Sequence, residues 1–320
     1  MKKALDEAIL EGNRRAAARL MRLIDDAAPG ARQFLCNLLP HTGDAYILGV
    51  TGNPGSGKST LVSELIYRFR QQGDTVGCIA VDPTSPFSGG AILGDRVRMQ
   101  DHADDDGVFI RSVATRGHLG GLARSTPAMI QIFDAMGFDV IIVETVGVGQ
   151  DEVEIVRLAD TNLVVLVPGL GDDVQAEKPG LMEIADLFVL NKSDRPGSKH
   201  LKRQIRTMLS LHDVTDTKAP SPPPILSTEA TTGRGLPELF DAIRDHRTRH
   251  RNLSADARNQ RRYTHLVRAI ARSEMDQRFQ AAISTHDFAE SIDQVVDGKI
   301  DPYEAANRLL ERLSEPSHNS

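Results

Sequence analysis

Residues 52–60, GNPGSGKST, arrange glycines, a lysine and hydroxyls in the order G-x-x-x-x-G-K-[ST]. The chemistry of that order is phosphate binding. The loop Gly52-Asn53-Pro54-Gly55-Ser56-Gly57 lets backbone N–H groups wrap close to an anion. Lys58 reaches the β and γ oxygens of a nucleotide, and the Ser59 hydroxyl is a hard oxygen ligand suited to Mg²⁺. The apolar run AYILGV precedes the motif and the helical stretch LVSELIYRFR follows it, giving the strand-loop-helix setting in which the pattern has meaning.

Three acids are candidates for the same metal. Asp82 ends TVGCIAVD, Glu144 ends DVIIVE, and Asp95 lies in the glycine-bearing GGAILGDRVRM. Mg²⁺ keeps several waters in an octahedron of oxygens, so not all three need touch it. Asp95 has a second reading, as an N-cap before Arg96-Val97-Arg98. Glu144 opens ETVGVGQ, where most switch proteins carry D-x-x-G; Gly147 and Gly149 give a backbone able to swing as the γ-phosphate comes and goes. Gln150 is placed either to orient water or to hydrogen-bond a helix start.

Residues 191–194, NKSD, end the run LFVLNK. An aspartate at position 194 accepts from guanine N1 and N2, a donor pair that adenine lacks. TEATTGRG (228–235) follows the next apolar run, and amides around Ala230 are then placed to approach guanine O6. GTP and GDP are therefore the expected ligands.

Positioning these groups requires a sheet. Between Ala45 and His250, apolar runs at 45–50, 75–82, 108–113, 139–144, 163–168, 187–191 and 224–228 alternate with helical stretches. Such alternation implies βαβ units, a mainly parallel sheet with helices on both faces, and ligands at the carboxyl ends of the strands. Residues 1–44 are expected to form an N-terminal helical extension; 2–27 has a helical pattern in which Asn13 suits an N-cap. Residues 45–250 then form the P-loop α/β domain and 251–320 a C-terminal helical arm. In that arm Tyr263, Leu266, Val267, Ile270, Met275, Phe279 and Ile283 form an apolar stripe without a strand partner, which must pack on the nucleotide domain or on another chain.

The bulk numbers narrow the class. With 40% apolar and 26% charged residues the chain is an ordinary globular protein, and a net charge of −6 argues against nucleic-acid binding. The arginines crowding 244–278 read as the solvated face of an amphipathic helix. The start MKKALDEAILEGNRR lacks the apolar core of a signal peptide, and no apolar run approaches a membrane span, so a cytoplasmic protein without membrane contact is expected. Cys36 and Cys78 read as two buried thiols.

The phosphate loop, VDPTSPFSGGAILGDRVRM, FIRSVATRGHLGGL, ETVGVGQ and GDDVQAEKPG occur here in one order. In this the chain strongly resembles the MeaB/MMAA/ArgK-type GTPases, from about Leu5 to the C-terminal helices. The resemblance implies a P-loop GTPase chaperone of an adenosylcobalamin-dependent acyl-CoA mutase, typically methylmalonyl-CoA mutase, that gates cofactor loading and protects the radical enzyme. It places phosphate contacts on Gly55, Gly57, Lys58, Ser59 and Thr60, metal-site acids on Asp82, Asp95 and Glu144, and base readers on Asn191, Lys192 and Asp194. It also implies a homodimer built on the helical arm, and a further switch sensing the mutase at Asp172, Asp173, Gln175 and Lys178. Two departures stand out: Glu229-Ala230-Thr231 occupies a place where many relatives have Ser-Ala-x, and Pro179 follows Lys178. The competing readings are a small-molecule kinase using the same loop, since some relatives carry a transport-kinase label, and a metallochaperone GTPase, which the absence of Cys/His-rich segments disfavours.

Overall fold

The seven apolar runs become seven strands: β1 (Tyr46–Gly52), β2 (Val76–Asp82), β3 (Val108–Ala114), β4 (Val140–Glu144), β5 (Thr161–Leu166), β6 (Leu187–Leu190) and β7 (Ile225–Ser227). They belong to a computed structural model that describes residues 4–26, 28–82, 102, 104–114, 125–145, 158–169, 184–212, 222–251 and 255–314. The strands pair in the order β3-β2-β4-β1-β5-β6-β7, and every pairing is parallel. β5 begins two residues earlier than its apolar run because Thr161 and Asn162 are buried as hydrogen-bonded polar groups rather than as hydrocarbon.

Backbone contacts divide the chain into Met1–Arg262 and Tyr263–Ser320. In the first unit, helices α1 (Leu5–Leu10), α2 (Arg14–Asp25) and α3 (Ala31–Leu38) precede the sheet. The stretch 2–27, read as helical with an N-cap at Asn13, forms two helices separated at that cap. Gly12 turns the chain at φ +81°, and Asn13 restarts it by accepting the Ala16 amide at 3.0 Å. Beyond β1 come α4 (Lys58–Gln71), α5 (Thr126–Ala135), α6 (Ser198–His212), α7 (Leu236–Arg251) and α8 (Ala255–Ile283). Leu61, Leu65 and Phe69 of α4 meet Leu48, Val50, Ile142 and Val165 of the sheet and Phe240 and Ile243 of α7 in the main core. Phe133 of α5 packs edge-on against Phe109 and Phe138. Cys78 is buried in β2 as expected, whereas Cys36 is exposed on α3, so only one of the two thiols is a core residue.

The starts of the strands share one device. Asp139, Asp160 and Asp186 each stand just before a strand and accept a backbone N–H from the adjacent one: Thr75 at 2.8 Å, Ile47 at 2.9 Å and Asn162 at 2.8 Å. Backbone donors at the mouth of a sheet must find acceptors, and these carboxylates supply them. Burial opposes the charge on Asp139, but the Thr75 amide and hydroxyl, with Arg247 and Arg251 nearby, outweigh it and hold the carboxyl below its ordinary range. Asp134 of α5 does the same for Gly43, Asp44 and Ala45. Arg262 of α8 closes this layer by donating to Asp134 at 3.1 Å, Asp160 at 3.1 Å and the Ala45 carbonyl at 3.0 Å.

The second unit contains the remainder of α8 with α9 (His286–Val296) and α10 (Pro302–Ser314). Thr285 caps α9, Arg308 bridges to Gln294 at 3.0 Å, and Arg312 pairs with Asp287. Val267, Ile270, Met275 and Phe279 of α8 are exposed along the stripe read from the sequence. No helix among the described residues is long and apolar enough to cross a membrane.

Replacing Arg262 by methionine would leave two buried carboxylates facing each other without their cation. We expect a loss of about 3 kcal/mol, the lower end of the cost of breaking a buried pair, because backbone amides still serve both acids. A guanidinium chloride midpoint unchanged by the substitution would show that the layer does not depend on this arginine.

Candidate functional site

β1 ends at Gly52 in the middle of the sheet, between β4 and β5, where the carboxyl ends of the strands converge. The loop 53–57 leaves this point, and α4 starts at Lys58 with Gly57 as its N-cap. Gly57 takes φ +86°, and a Cβ there would lie 2.5 Å from the Asn191 side-chain nitrogen; the position requires glycine both for its conformation and for space. Lys58 is buried, and its ammonium donates to the Gly52 carbonyl at 2.7 Å and to the Asn53 carbonyl at 3.1 Å. It is thus held inside its own loop, directed at the place where loop amides and the helix N-terminus favour an anion.

The second wall is β4. Its last residue, Glu144, is buried and accepts the Ser59 hydroxyl at 2.8 Å. Val50 of β1 is in register with Glu144, which brings the two motifs side by side. A serine oxygen and a carboxylate oxygen in contact form a hard donor pair that fits Mg²⁺, with Ser59 and Glu144 the residues that would hold it. Asp82 ends β2, two register positions beyond the Ala80–Glu144 pairing. Asp95 and Gln150, expected at the same site, lie outside the described residues, as do Asp172, Asp173, Gln175, Lys178 and Pro179.

The third wall follows β6. Asn191, almost fully buried, donates through Nδ2 to the Ser56 carbonyl at 2.8 Å. Its Oδ1 accepts the Ala230 amide at 3.1 Å and the Thr228 hydroxyl at 3.2 Å. Lys192, at φ +54°, donates to the Gly55 carbonyl at 2.7 Å. Asp194 is exposed two residues further on. The structure therefore brings together Gly52 to Ser59, Thr60 in the first turn of α4, Glu144, Asn191, Lys192, Glu229 and Ala230, with Asp194 and Thr231 at the exposed edge. Of the amides around Ala230 expected to approach the base, that of Ala230 donates to Asn191 in this structure, and the Thr231 amide beside it has no hydrogen bond among the described residues.

Several supporting residues escaped the sequence reading. Thr51 and Thr145 bond hydroxyl to hydroxyl at 2.9 Å in the buried root of the site. Thr228 and Arg234 steady the loop beyond β7. Thr145, Thr228 and Arg234 lie inside quoted motifs and Thr51 beside one, but no spacing assigned any of them a role.

With this geometry in view, comparison with known proteins is informative. The family model described as methylmalonyl Co-A mutase-associated GTPase MeaB matches residues 17–284. A Pyrococcus abyssi protein described as a GTPase is 47% identical over 310 residues, covering 97% of this chain and 96% of that one. GTPase ArgK of Escherichia coli is 40% identical over 245 residues, covering 74% and 73%. A crystal structure described as a LAO/AO transport system kinase superposes with a TM-score of 0.68 at 27% identity, covering 97% of each chain.

If Asn191 is the clamp between the phosphate loop and the loop at 228–234, Asn191→Ala should weaken nucleotide binding roughly 10- to 100-fold. It leaves a buried carbonyl and a buried amide without their partner, at about 1–3 kcal/mol each. Thr228→Val removes one bond of the three and should cost less. Titration with a fluorescent guanosine diphosphate decides the matter; wild-type affinity in Asn191→Ala would rule the clamp out.

Proposed function

The chain belongs to the MeaB family of methylmalonyl Co-A mutase-associated GTPases, and from that premise we propose that it is a GTP-hydrolysing chaperone of an adenosylcobalamin-dependent acyl-CoA mutase. The observation that supports the GTP half is the Asn191–Lys192 clamp on the phosphate loop, with the exposed Asp194 two residues further on as the proposed reader of the base. The mutase half is supported by the family description and by a mouse relative described as methylmalonic aciduria type A homolog, mitochondrial. That relative is 34% identical over 204 residues, covering 62% of this chain and 48% of its own length.

In this reading Lys58 leaves the Gly52 and Asn53 carbonyls for the β and γ oxygens of GTP. Ser59 and Glu144 would hold Mg²⁺, which when bound would supply positive charge beside the transferred phosphoryl group. Asp82 and Asp95 support that metal, Gln150 is the candidate to orient water, and Asn191, Lys192, Asp194 and the loop from Glu229 to Thr231 select guanine. Basal turnover of about 10⁻⁴ to 10⁻² s⁻¹ is expected, rising when the mutase docks. Asp172, Asp173, Gln175 and Lys178 form the segment that senses it. The kinase reading requires γ-phosphoryl transfer to an amino acid rather than to water.

One assay separates these readings: phosphate release from GTP and from ATP, with and without the mutase. We expect GTP hydrolysis alone, accelerated by the mutase. Gln175→Ala and Lys178→Ala should keep basal hydrolysis and lose most of the acceleration, because only the coupling is removed. Hydrolysis of ATP at the GTP rate, or a GTP rate indifferent to any acyl-CoA mutase, would overturn the corresponding half.

The same reading makes residues 251–320 a dimerisation arm in a cytoplasmic homodimer. Val267, at 64% exposure, and Met275, at 68%, lie on α8 with Ile270 and Phe279, more apolar surface than a monomer helix ordinarily leaves in water. Light scattering at micromolar concentration is expected to give twice the 35.0 kDa chain mass, and a truncation after Arg262, which keeps the cation between Asp134 and Asp160, to give a monomer that still binds GTP. A monomeric full-length protein would exclude the dimer.

A further inference from the structure

The loop beyond β7 is closed on itself in a way the nucleotide site does not by itself require. The Glu229 amide donates to the Arg234 carbonyl at 2.9 Å, an isolated antiparallel bridge across the loop. The side chains repeat the closure: Arg234 donates to Glu229 Oε1 at 3.0 Å and the Thr232 hydroxyl to Glu229 Oε2 at 3.2 Å. The Glu229 carbonyl in turn accepts the Thr232 amide at 3.1 Å and the Gly233 amide at 3.0 Å. Gly235 stands at φ +73°, where a Cβ would collide with the Ser227 carbonyl, so the two ends of the loop meet as closely as a backbone allows.

Glu229 is the hub of all of these bonds. Its side chain is only 11% exposed, although its partner Arg234 is 79% exposed. An exposed ion pair contributes little to overall stability. What this one does is local: it fixes the turn Ala230-Thr231 between two anchored points. On one side Ala230 is tied to Asn191; on the other Thr232 is tied to Glu229. Between them Thr231 is an exposed residue, and its amide has no acceptor among the described residues.

An N–H held at that edge, beside Asn191 and Lys192, matches an acceptor on the base. Guanine and hypoxanthine present a carbonyl oxygen at C6, whereas adenine presents an amino group that would face the N–H donor to donor. We propose that Glu229, held by Arg234 and Thr232, is a specificity-determining positioning residue that presents the Thr231 amide to the C6 oxygen of the base. The proposal rests on the guanine-nucleotide reading of the site. It divides base recognition in two: Asp194 reads N1 and N2, and the Glu229 ring reads O6.

Affinities of GDP, IDP and ADP separate the two readers, because IDP keeps the C6 oxygen and lacks the N2 amino group. Glu229→Ala and Arg234→Ala should weaken GDP and IDP by the same factor, roughly three- to tenfold, with the GDP-to-IDP ratio preserved and ADP binding unchanged. Asp194→Ala should instead bring that ratio toward one. Glu229→Gln, which keeps the shape and one acceptor, should lie closer to wild type than Glu229→Ala. Arg234 is exposed, so its loss leaves the fold intact and the comparison valid even if Glu229→Ala folds poorly. Unchanged GDP affinity in Arg234→Ala, or an equal loss for ADP, overturns the proposal. A wild-type protein that binds ADP as well as GDP would overturn the guanine reading beneath it, a result visible before any variant is made.

Discussion

One buried side-chain amide holds the nucleotide face together. Asn191 offers a donor and an acceptor in fixed opposite directions, and both are used: Ser56 of the phosphate loop on one side, Thr228 and Ala230 on the other. Aspartate would put an acceptor against the Ser56 carbonyl, and a hydrophobic residue would orphan groups on both loops. Glycine at position 57 is the corollary, because the amide nitrogen fills the space where a Cβ would be. Two loops more than 130 residues apart in sequence are therefore positioned through one residue.

The opposite ends of the strands solve a different problem with different chemistry. There the task is to satisfy strand-opening amides without a ligand, and carboxylates do it: Asp139 for Thr75, Asp160 for Ile47, Asp186 for Asn162. The partners of these acids come from α7 and α8: Arg247 toward Asp74 and the Asp139 carbonyl, His246 toward Asp186, Arg262 toward Asp134 and Asp160. Charge is thus spent on structure at one end of the sheet. At the other, it stays available for phosphate and metal.

This contrast explains what was legible in the sequence. The strands could be read because β1, β4, β5 and β6 are buried along their whole length and so appear as nearly continuous apolar runs. The phosphate loop and NKSD could be read because local spacing creates their chemistry: Lys58 follows Gly57 for the same reason in any chain. The break between α1 and α2 is signalled by Gly12 and the Asn13 cap, which are local. The polar start of β5 and the exposure of Cys36 could not be read, since each depends on neighbours distant in sequence. Arg262 is the clearest case. It lies among arginines that read as a solvated helix face, yet its guanidinium is buried between Asp134 and Asp160, and nothing in its local pattern distinguishes it from the exposed Arg244.

Ala230 shows that strand order locates a residue without choosing the hydrogen-bond partner of its amide. Its position beside NKSD follows from strand order alone, and the structure agrees. Which acceptor its amide meets does not follow from strand order. The Asn191 carboxamide has two acceptor lone pairs to fill once Nδ2 is committed to Ser56, and Ala230 and Thr228 are the donors within reach. Satisfying the buried clamp takes precedence over the exposed edge, because an unmet buried acceptor costs more than an amide left to water. The amide left at the exposed edge is then that of Thr231, one residue outward, and the O6 contact proposed for it needs something to hold Thr231 still. In the proposed arrangement that need is met by a glutamate, whose two carboxylate oxygens engage Thr232 and Arg234 separately.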